Sequence, residues 1–462
     1  MLVTKRSLRP IAAAATVALV AAACGGDGGS AADGAAADDV GAAPAHCGDI
    51  QPEDLDGAGV SIFGAPTSVE ADAFNAVIED CFNGPFNANG VYEGSDSFET
   101  QVLVRIEGGN APDIAMYPQP GSIIELAERG TAIALEDLGF DTAELEATFG
   151  EYLLSLGEFE GKHYGLPTNV SLKSLIWYNK PVFEANGYEI PETWDELLAL
   201  SQQIVDDGSA EAPFCIGTGS DAATGWPATD WLEDVMLRTA GPDTYDQWVS
   251  HEIPFDDPAV VDAANTFAEI AFNPDFVVGR TSDIPGVDFR DAAHGMFSPS
   301  IEEPACVLHR QASFITSFFP EETEVGTDVD VFPFPAVDPD QPTAALIAGE
   351  LAAVLNDTPA VRAFLSTLIS EGVQCTLGGY EGVQRISPNV NTSGDCYTDD
   401  VVARSADTIV EALKAGGARF DASDLMPSIV GTGSFWTAMN EWMRGADIEQ
   451  VLADVEASWP SS

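Results

Sequence analysis

Short apolar runs alternate with amphipathic helical segments from Val60 to Arg129, and this alternation limits the fold more than any other feature of the chain. Each run predicts a buried strand, and each following segment repeats its apolar residues at helical spacing. The three strand and helix units are 60–64 with 71–82, 90–95 with a helix from Ser97, and 113–117 with 123–129. Such alternation predicts an α/β fold with a mostly parallel sheet and helices on both faces. Ligands bind outside the carboxyl ends of such strands, so the loops 64–70 and 118–121 are candidates for a binding site.

The N-terminus has the pattern of an export signal. Three basic residues among the first nine precede an apolar run, 11–23, that is shorter than the roughly 20 helical residues needed to span a bilayer. The small residues before Cys24 resemble a bacterial lipobox, which implies a signal peptide over 1–23 and lipidation of Cys24. A plain secretory signal with an incidental cysteine is the alternative. Residues 24–46, rich in glycine and alanine, then predict a flexible tether that holds the folded body at the extracytoplasmic face of the cell membrane.

The composition is strongly acidic. The 462 residues include 75 Asp and Glu against 18 Lys and Arg, a net charge of -57. This balance excludes a nucleic-acid partner, because nucleic-acid binding needs a basic footprint. Without the predicted signal peptide the net charge is -60, and 71 of the acidic residues then belong to the folded body. One cleft can use only a few of them, so we interpret most as surface groups suited to a saline exterior.

This interpretation predicts that salt stabilises the folded protein. Raising the salt concentration to about 1 M shortens the Debye length to about 3 Å, so like charges on the folded surface repel one another less. We expect the melting temperature to rise by several degrees between low salt and that concentration. Thermal unfolding followed by circular dichroism measures the change. An unchanged melting temperature across the range would contradict the surface interpretation.

Cysteine usage agrees with export. Besides Cys24 the chain has six cysteines, and an even number in an exported chain favours disulfides. Six cysteines allow 15 pairings. Proximity in the sequence and the order of the predicted elements favour Cys47 with Cys81, Cys215 with Cys306, and Cys375 with Cys396. The cysteines and histidines lack the spacing of metal ligands, so the sequence predicts neither a metal site nor another cofactor.

A second group of motifs begins at Tyr164. The chain has Tyr-Gly-Leu-Pro at 164–167, an apolar strand ending in Tyr-Asn-Lys at 178–180, and Pro-Glu-Thr-Trp-Asp-Glu-Leu at 191–197, where Thr193 and Glu196 predict a capping box. In these motifs the chain resembles the carbohydrate-binding extracellular solute-binding proteins of bacterial ABC importers. Further motifs of that family lie at 111–115, 135–138, 349–350, 363–365, 386–389 and in a last helix ending at Trp459. Three more, at 225–231, 309–314 and 419–427, resemble a subgroup associated with alpha-glucosides.

The resemblance covers about residues 55 to 460 and implies a two-lobe periplasmic-binding-protein fold, also called a Venus flytrap, with the ligand in the cleft. In this fold the chain passes from one lobe to the other at several crossings. Carried onto this chain, the crossings fall near 168–172, 340–345 and 385–389. Lobe one would comprise 48–168 plus 345–385, and lobe two 172–342 plus 388–462. Two of the predicted disulfides would lie within a lobe, and the pair Cys375 and Cys396 would span a crossing.

A sugar needs hydrogen-bond partners for its hydroxyls and a flat apolar surface for its C–H face. Residues of both kinds occur at the predicted strand ends, crossings and aromatic motifs. The candidate ligand-binding residues are Ser68, Glu70, Tyr117, Gln119, Asn169, Lys173, Trp226, Asp230, Trp231, Glu350, Phe435 and Trp436.

Several of these residues have a purely structural alternative. Trp231 and the pair Phe435 and Trp436 could be core residues, because tryptophan is usually largely buried. Ser68 could be a helix N-cap. Lys173 could pair a cleft carboxylate rather than bind a hydroxyl, and the acidity of the chain favours that alternative. The two aspartates of the last family motif, Asp421 and Asp424, could serve only to order the loop before Pro427.

The resemblance implies a receptor rather than an enzyme. It would capture a sugar or oligosaccharide, in the subgroup an alpha-glucoside, close around it, and dock as a monomer on ABC permease subunits. Two alternatives stay open: the same fold with a polyamine, peptide or anion as cargo, and a secreted glycoside hydrolase that uses two carboxylates. Trp226, Trp231 and Trp436 favour a sugar over a cation.

Overall fold

The computed structural model describes residues 43–48, 50, 55, 57–341 and 343–460. The predicted signal peptide, Cys24 and the predicted tether up to residue 42 lie outside these residues. The described end of that segment, Ala45–Cys47, is a turn of 3-10 helix that packs against the later helix Glu371–Gly378. Within the described ranges, no helix combines the length and apolarity needed to cross a membrane.

The strands are short and form three sheets and one hairpin. Their bounds are β1 Gly59–Gly64, β2 Asn89–Gly94, β3 Ile114–Tyr117, β4 Glu158–Phe159, β5 Lys162–His163, β6 Leu166–Pro167, β7 Ser171–Leu172, β8 Leu175–Asn179, β9 Ala212–Phe214, β10 Cys306–Arg310, β11 Val329–Pro333, β12 Ala345–Ala348, β13 Leu351–Val354 and β14 Ala418–Phe420.

The helices that follow the strands are longer. Their bounds are α1 Ser68–Ile78, α2 Gly84–Phe86, α3 Phe98–Glu107, α4 Pro120–Glu128, α5 Thr142–Phe149, α6 Glu151–Ser155, α7 Lys180–Asn186, α8 Trp194–Asp207, α9 Trp226–Thr239, α10 Pro242–Val249, α11 Pro258–Ala271, α12 Phe289–Ala292, α13 Pro359–Leu368, α14 Glu371–Gly378, α15 Asp400–Ala415, α16 Ala422–Leu425, α17 Trp436–Met443 and α18 Ile448–Ser458. The predicted capping box is confirmed at the start of α8, where the Thr193 hydroxyl accepts from the Glu196 N–H and the Glu196 carboxylate accepts from the Thr193 N–H.

The largest sheet has five strands in the order β2-β1-β3-β13-β6. β1 is parallel to β2 and to β3, as the three predicted strand and helix units require. β13 is antiparallel to β3 and to β6, so the prediction of a mostly parallel sheet is wrong for the sheet as a whole. A strand that is reached through a crossover helix enters the sheet parallel to its neighbour. β13 is reached directly from β12 of another sheet, without a crossover helix, so it need not be parallel.

A second sheet has four strands in the order β11-β8-β10-β9, and a third has three in the order β14-β12-β7. In the second sheet β8 is antiparallel to both neighbours, while β9 and β10 are parallel. The five-stranded and four-stranded sheets are the centres of two lobes. The three-stranded sheet lies where the chain passes from one lobe to the other, because β7 follows β6 and β12 precedes β13.

Three stretches of chain that join the sheets lie side by side, and we call them the crossing segments: 168–170, 349–350 and 385–386. Val170 and Ile386 form a β-bridge, with the Val170 N–H donating to the Ile386 carbonyl at 2.9 Å. The Glu350 N–H donates to Asn169 Oδ1 at 2.6 Å. Gly349 permits this contact, because a Cβ at that position would overlap the Asn169 carbonyl oxygen.

Buried apolar residues surround the sheets, and one cluster of them continues from the five-stranded sheet to the four-stranded one. In the five-stranded sheet, successive residues of β1 face opposite sides, so Ile62 packs with Phe74 and Met116 while Phe63 packs with Phe98. The three disulfides favoured by the sequence are present, with Cα–Cα distances of 5.0 to 5.5 Å: Cys47 with Cys81, Cys215 with Cys306, and Cys375 with Cys396. The last of these closes a loop of chain around the third crossing segment.

Candidate functional site

A cavity of about 200 Å³ lies between the two lobes. One wall comes from the loops that follow β1, β2 and β3, which contribute 65–70, 95–96 with Glu99, and 118–119. Both loops predicted from the sequence are therefore on this wall, at the carboxyl ends of the parallel strands. The opposite wall comes from residues between 220 and 318, and the crossing segments and α16 complete the cavity.

The loop after β1 is held against the end of β2. Gly94 has no side chain, and a Cβ there would overlap the Pro66 carbonyl oxygen. The Tyr92 hydroxyl donates to the same oxygen at 2.9 Å. Ser68 begins α1 with a φ of 54°, in the left-handed region that residues other than glycine rarely adopt. The N-cap position is occupied by Thr67, so Ser68 is not the N-cap that the structural alternative supposed, and it lies on the cavity wall.

Two carboxylates, Glu70 and Glu350, lie near one guanidinium at the crossing segments. Arg385 Nη1 is 3.5 Å from Glu350 Oε2, and Arg385 Nη2 donates to the Thr168 carbonyl at 3.2 Å. The same guanidinium lies over the Phe74 ring at 4.6 Å. Burial raises the pKa of Glu70 to about 7, against the opposing charge of Arg385. Burial also raises the pKa of Glu350, again against Arg385, so this corner of the cavity has more acid than base.

Replacing Glu70 by glutamine should stabilise the ligand-free protein at pH 8 and have little effect at pH 4.5. The folded-state pKa of about 7 lies above the ordinary value of 4.5, so ionising Glu70 costs folding free energy as the pH rises from 4.5 to 7. Glutamine removes this cost and leaves Arg385 paired with Glu350. Because Glu70 is partly exposed, we discount the full effect of the pKa shift and expect the free energy of unfolding to rise by about 1 kcal/mol at pH 8.

Thermal unfolding of both proteins at pH 4.5, 6 and 8 measures this effect. Glu128→Gln, on the exposed side of α4, controls for the loss of one negative charge from an acidic surface. A difference between Glu70→Gln and the parent protein that is the same at all three pH values would contradict the assignment.

Lys173 is the centre of a buried charge network. Its Nζ lies 2.8 Å from Asp230 Oδ1 and 2.5 Å from Asp421 Oδ2, and all three side chains are almost fully buried. Arg310 donates from Nη1 to Asp230 at 3.0 Å and from Nη2 to Asp234 at 2.8 Å. Lys173 therefore pairs carboxylates, the alternative that the acidity of the sequence favoured, while remaining on the cavity wall.

The network sets which groups are charged at the cavity. Burial lowers the pKa of Lys173, but the carboxylates of Asp230 and Asp421 outweigh burial and hold it above its usual range. Burial raises the pKa of Asp230 to about 6, against Lys173 and Arg310. Burial and the charge of Asp421 hold the pKa of Asp424 well above its usual range. Asp424 therefore takes up a proton more readily than an exposed aspartate, while the Asp421 carboxylate accepts hydrogen bonds from Lys173 and the Ser423 hydroxyl.

Three buried carboxylates, from Asp421 on the cavity wall and from Asp230 and Glu233 behind it, lie within 4.8 Å of one another, which is close enough to hold a metal ion. They already have partners. The Lys173 ammonium bridges two of them, and Glu233 accepts from the backbone N–H groups of Ala422 and Ser423 at 3.0 and 3.2 Å. The donor set therefore fits an ammonium and two amides rather than a metal.

Aromatic rings cover the wall opposite the strand ends. Trp226 begins α9 and packs edge-on against Phe289 at 4.9 Å. Lys173 Nζ lies 4.9 Å from the centre of the Trp226 ring. Gly225 has a φ of 124° and no side chain, so that its backbone can approach the Trp436 carbonyl. Trp436, in turn, is fixed by a hydrogen bond from its indole N–H to the Ser423 hydroxyl at 3.2 Å.

Gln119 offers an acceptor that is not used by the described residues. Its side chain is buried on the cavity wall, its Nε2 lies 3.5 Å from Glu99 Oε1, and its Oε1 has no hydrogen-bond partner among the described residues. Burial raises the pKa of Glu99. A buried carbonyl without a partner costs free energy, and a ligand hydroxyl that donates to it would remove that cost.

Eight of the twelve candidate residues lie on the cavity wall. They are Ser68, Glu70, Gln119, Asn169, Lys173, Trp226, Glu350 and Trp436. The wall supplies donors, acceptors and flat apolar rings, which is the combination that a polyhydroxylated ligand requires.

The structure places the other four candidates behind the cavity wall rather than on it. Trp231 stacks on Phe267 at 4.9 Å in the core of α9 and α11, which confirms its structural alternative. Phe435 packs against Phe255 at 4.9 Å, likewise in the core. Asp230 is fully buried behind Lys173, and Tyr117 is buried beside Phe98. Each lies within five residues of a cavity residue in the sequence, and packing decides which side chain faces the cavity.

The sequence reasoning missed other residues of the wall. Asp421 and Asp424, for which the sequence offered the alternative of only ordering the loop before Pro427, line the cavity. Asp421 does both, because it also accepts from the Asp424 N–H at the start of α16. The remaining missed residues with charged or aromatic side chains are Asp96, Glu99, Phe289, Arg290, Phe314 and Phe318. Phe314 ends one of the family motifs, and this was the available signal for it.

Comparison with known proteins adds to this geometry. The family model of the bacterial extracellular solute-binding protein matches residues 65–374. The osmoprotective compounds-binding protein GgtB of Synechocystis is 42% identical over 373 residues, which are 80% of this chain and 85% of that protein. The alpha-glucosides-binding periplasmic protein AglE of Rhizobium meliloti is 39% identical over 421 residues, which are 88% of each protein.

Solved structures show the same fold. The bacterial solute receptor AcbH superposes with a TM-score of 0.71 at 17% identity, covering 87% of this chain and 97% of that one. The maltose-bound MalE3 of T. maritima gives a TM-score of 0.66 at 17% identity, covering 87% and 98%. At such identity the likeness concerns the fold alone, and it agrees with the two lobes described above.

Proposed function

The chain belongs to the bacterial extracellular solute-binding protein family, and from this premise we propose that it is the extracytoplasmic substrate-binding component of an ABC importer. Its ligand is an alpha-glucoside or a related small polyol, taken up in the cleft between the lobes and delivered to permease subunits. The names of the two relatives, which refer to osmoprotective compounds and to alpha-glucosides, support this choice of ligand.

The observation that carries the proposal is the composition of the cavity wall. Trp226 and Trp436 offer flat apolar surface, while Gln119, Asp421 and the Lys173 ammonium offer an acceptor, a carboxylate and a donor. An uncharged ligand with many hydroxyls gains affinity from such a wall, because each hydroxyl can both donate and accept. Ligand contacts with both walls favour the closed arrangement of the lobes.

The closed arrangement is supported by direct contacts between α4 and the chain after α16. The Ser428 N–H donates to Glu125 Oε1 at 2.8 Å, and the Ser122 and Ser428 hydroxyls are 3.1 Å apart. Gly121 allows the approach, because a Cβ there would overlap the Met426 carbonyl oxygen. A permease that binds only the closed form would contact both lobes in one fixed arrangement.

We place the lobe boundaries at the crossing segments. Lobe one is then 48–168 plus the chain from β13 to 385, and lobe two is 172–342 plus 388–462 with β12 in the connecting sheet. The pairing of β12 with β7 and β14 supports moving the second boundary to Gly349 from the predicted 345.

We further propose that Cys24 anchors the protein to the outer face of the membrane by a lipid. The small residues before Cys24 and the glycine-rich segment after it support this. Cys24→Ser should release the protein into the medium or the periplasm, and mass spectrometry of the membrane form should find an N-terminal peptide with acyl chains. A soluble parent protein with a free cysteine would contradict the anchor.

A thermal-shift screen tests the ligand class. The probes are methyl α-D-glucoside, sucrose, trehalose, maltose and raffinose, with glycine betaine, spermidine and a tripeptide as representatives of the alternatives. A ligand present at 100 times its dissociation constant adds about 2.7 kcal/mol to the unfolding free energy. A rise in melting temperature with the glucosides alone supports the proposal, and a rise with spermidine or the peptide alone would overturn it.

The relatives are named as binding proteins, and we propose that this chain also binds without turnover. Incubation with each glucoside that binds, followed by chromatography of released sugar, is the test. Hydrolysis that disappears in Asp421→Asn would replace the receptor with a glycoside hydrolase using two carboxylates.

A further inference from the structure

One ion pair joins the two walls at the solvent side of the cavity. Arg290 Nη2, in α12, lies 2.9 Å from Asp96 Oδ1, in the loop between β2 and α3. The two side chains are 24% and 51% exposed, whereas Lys173 and Asp421 at the inner end are 6% and 1% exposed. The pair therefore spans the mouth of the cavity rather than its floor.

The guanidinium of Arg290 is held in place by its own lobe. Its Nη1 lies 3.1 Å from Asp288 Oδ2, and its centre lies 4.8 Å from the Phe289 ring and 5.9 Å from the Phe318 ring. These contacts do not depend on the other lobe, so Arg290 is already oriented when the lobes approach. On the opposite side, the Thr67 hydroxyl lies 3.4 Å from the Asp96 carboxylate.

The enclosed space is small. About 200 Å³ lies below the range of roughly 300 to 1,000 Å³ found for pockets that enclose drug-sized ligands. A ligand longer than the cavity would have to extend through its mouth, where it would separate Asp96 from Arg290.

We propose that the Asp96–Arg290 pair is a length filter: it closes over ligands of one or two sugar units and excludes longer alpha-glucosides. The proposal rests on the proposed function, because it takes the ligand to be a glucoside. An exposed ion pair contributes little to affinity by itself. Its effect is selective, since a short ligand leaves the pair intact, whereas a long one breaks the pair and meets the Arg290 guanidinium, which its own lobe holds at the mouth.

Isothermal titration calorimetry with methyl α-D-glucoside, maltose, maltotriose and maltotetraose tests the filter in the parent protein, Asp96→Asn, Arg290→Gln and the double variant. In the parent protein we expect maltotriose to bind at least about tenfold more weakly than maltose. Each single variant should reduce this ratio to about threefold or less, while maltose affinity falls by less than about fivefold. The double variant should match the single variants, because the two residues act as one unit.

Arg280→Gln is the matched control. Arg280 pairs with Asp283 on the surface of a single lobe, at 2.9 Å, and its loss should leave the ratio unchanged. Equal affinity of the parent protein for maltose and maltotetraose would overturn the filter, and so would an unchanged ratio in Asp96→Asn and Arg290→Gln. If none of the four sugars binds, the filter is overturned, and the thermal-shift screen with the other glucosides decides the proposed function separately; binding without length discrimination overturns the filter and leaves the proposed function standing.

Discussion

Replacing Lys173 by methionine should lower the free energy of unfolding by about 3 to 5 kcal/mol at pH 8, the range for removing one partner of a buried ion pair. The Lys173 ammonium bridges Asp230 and Asp421, both almost fully buried. Without it, two carboxylates face each other in a site closed to water, and Arg310 reaches only one of them. Urea denaturation of the parent protein and the variant at pH 8 measures the loss.

Two controls separate this effect from the loss of any lysine. Lys162 pairs with Asp137 at 2.8 Å on the surface, and Lys162→Met should cost far less stability than Lys173→Met, because solvent screens an exposed pair. Adding Asp421→Asn to Lys173→Met should recover part of the stability, because it removes one uncompensated charge. A Lys173→Met protein within 1 kcal/mol of the parent would show that the network does not hold the lobe junction together.

Replacing Trp226 by alanine should weaken binding of the glucosides that pass the screen by about 10- to 100-fold, or roughly 1.4 to 2.8 kcal/mol. The indole is the largest apolar surface on the cavity wall that packs only partly against neighbours, with Phe289 at its edge. Its loss removes the flat face on which a sugar ring would lie. Trp226→Phe should retain most of the affinity, because a smaller flat ring remains.

The matched control for this variant is Trp459→Ala. Trp459 is also partly buried, but it stacks on His251 at 4.1 Å after the last helix and is absent from the cavity wall. Calorimetric titration of the three tryptophan variants, with circular dichroism melts to confirm folding, makes the comparison. Binding by Trp226→Ala that is as tight as binding by the parent protein would remove Trp226 from the site.

Local chemistry was sufficient to predict many elements. The capping box of Thr193 and Glu196 depends on two side chains three residues apart, and the first three strands follow from periodicity within short windows. The direction of β13 could not be obtained in this way, because it depends on a connection to β12 rather than on the strand's own residues.

The same distinction between local pattern and tertiary packing applies to the residues of the candidate site. Strand-end residues such as Gln119 and Glu70 were predictable, because the carboxyl ends of parallel strands are a known place for ligands. Trp226 and Trp231 lie five residues apart on one helix, and which of them faces the cavity is decided by packing with α11. Asp96 and Arg290 are 194 residues apart, and no local pattern brings them together.

The hydrogen bonds among the three crossing segments limit how the lobes can move. A single connection would let one lobe twist and slide freely against the other. Here Val170, Ile386, Asn169 and Glu350 join the connections to one another, so sliding would break several bonds at once while rotation about a shared axis would break few. These contacts favour rotation over sliding, and a closure by rotation would return the two walls to the same register. Selectivity can therefore depend on differences of a single atom in the ligand, since neither wall can shift sideways to accommodate it.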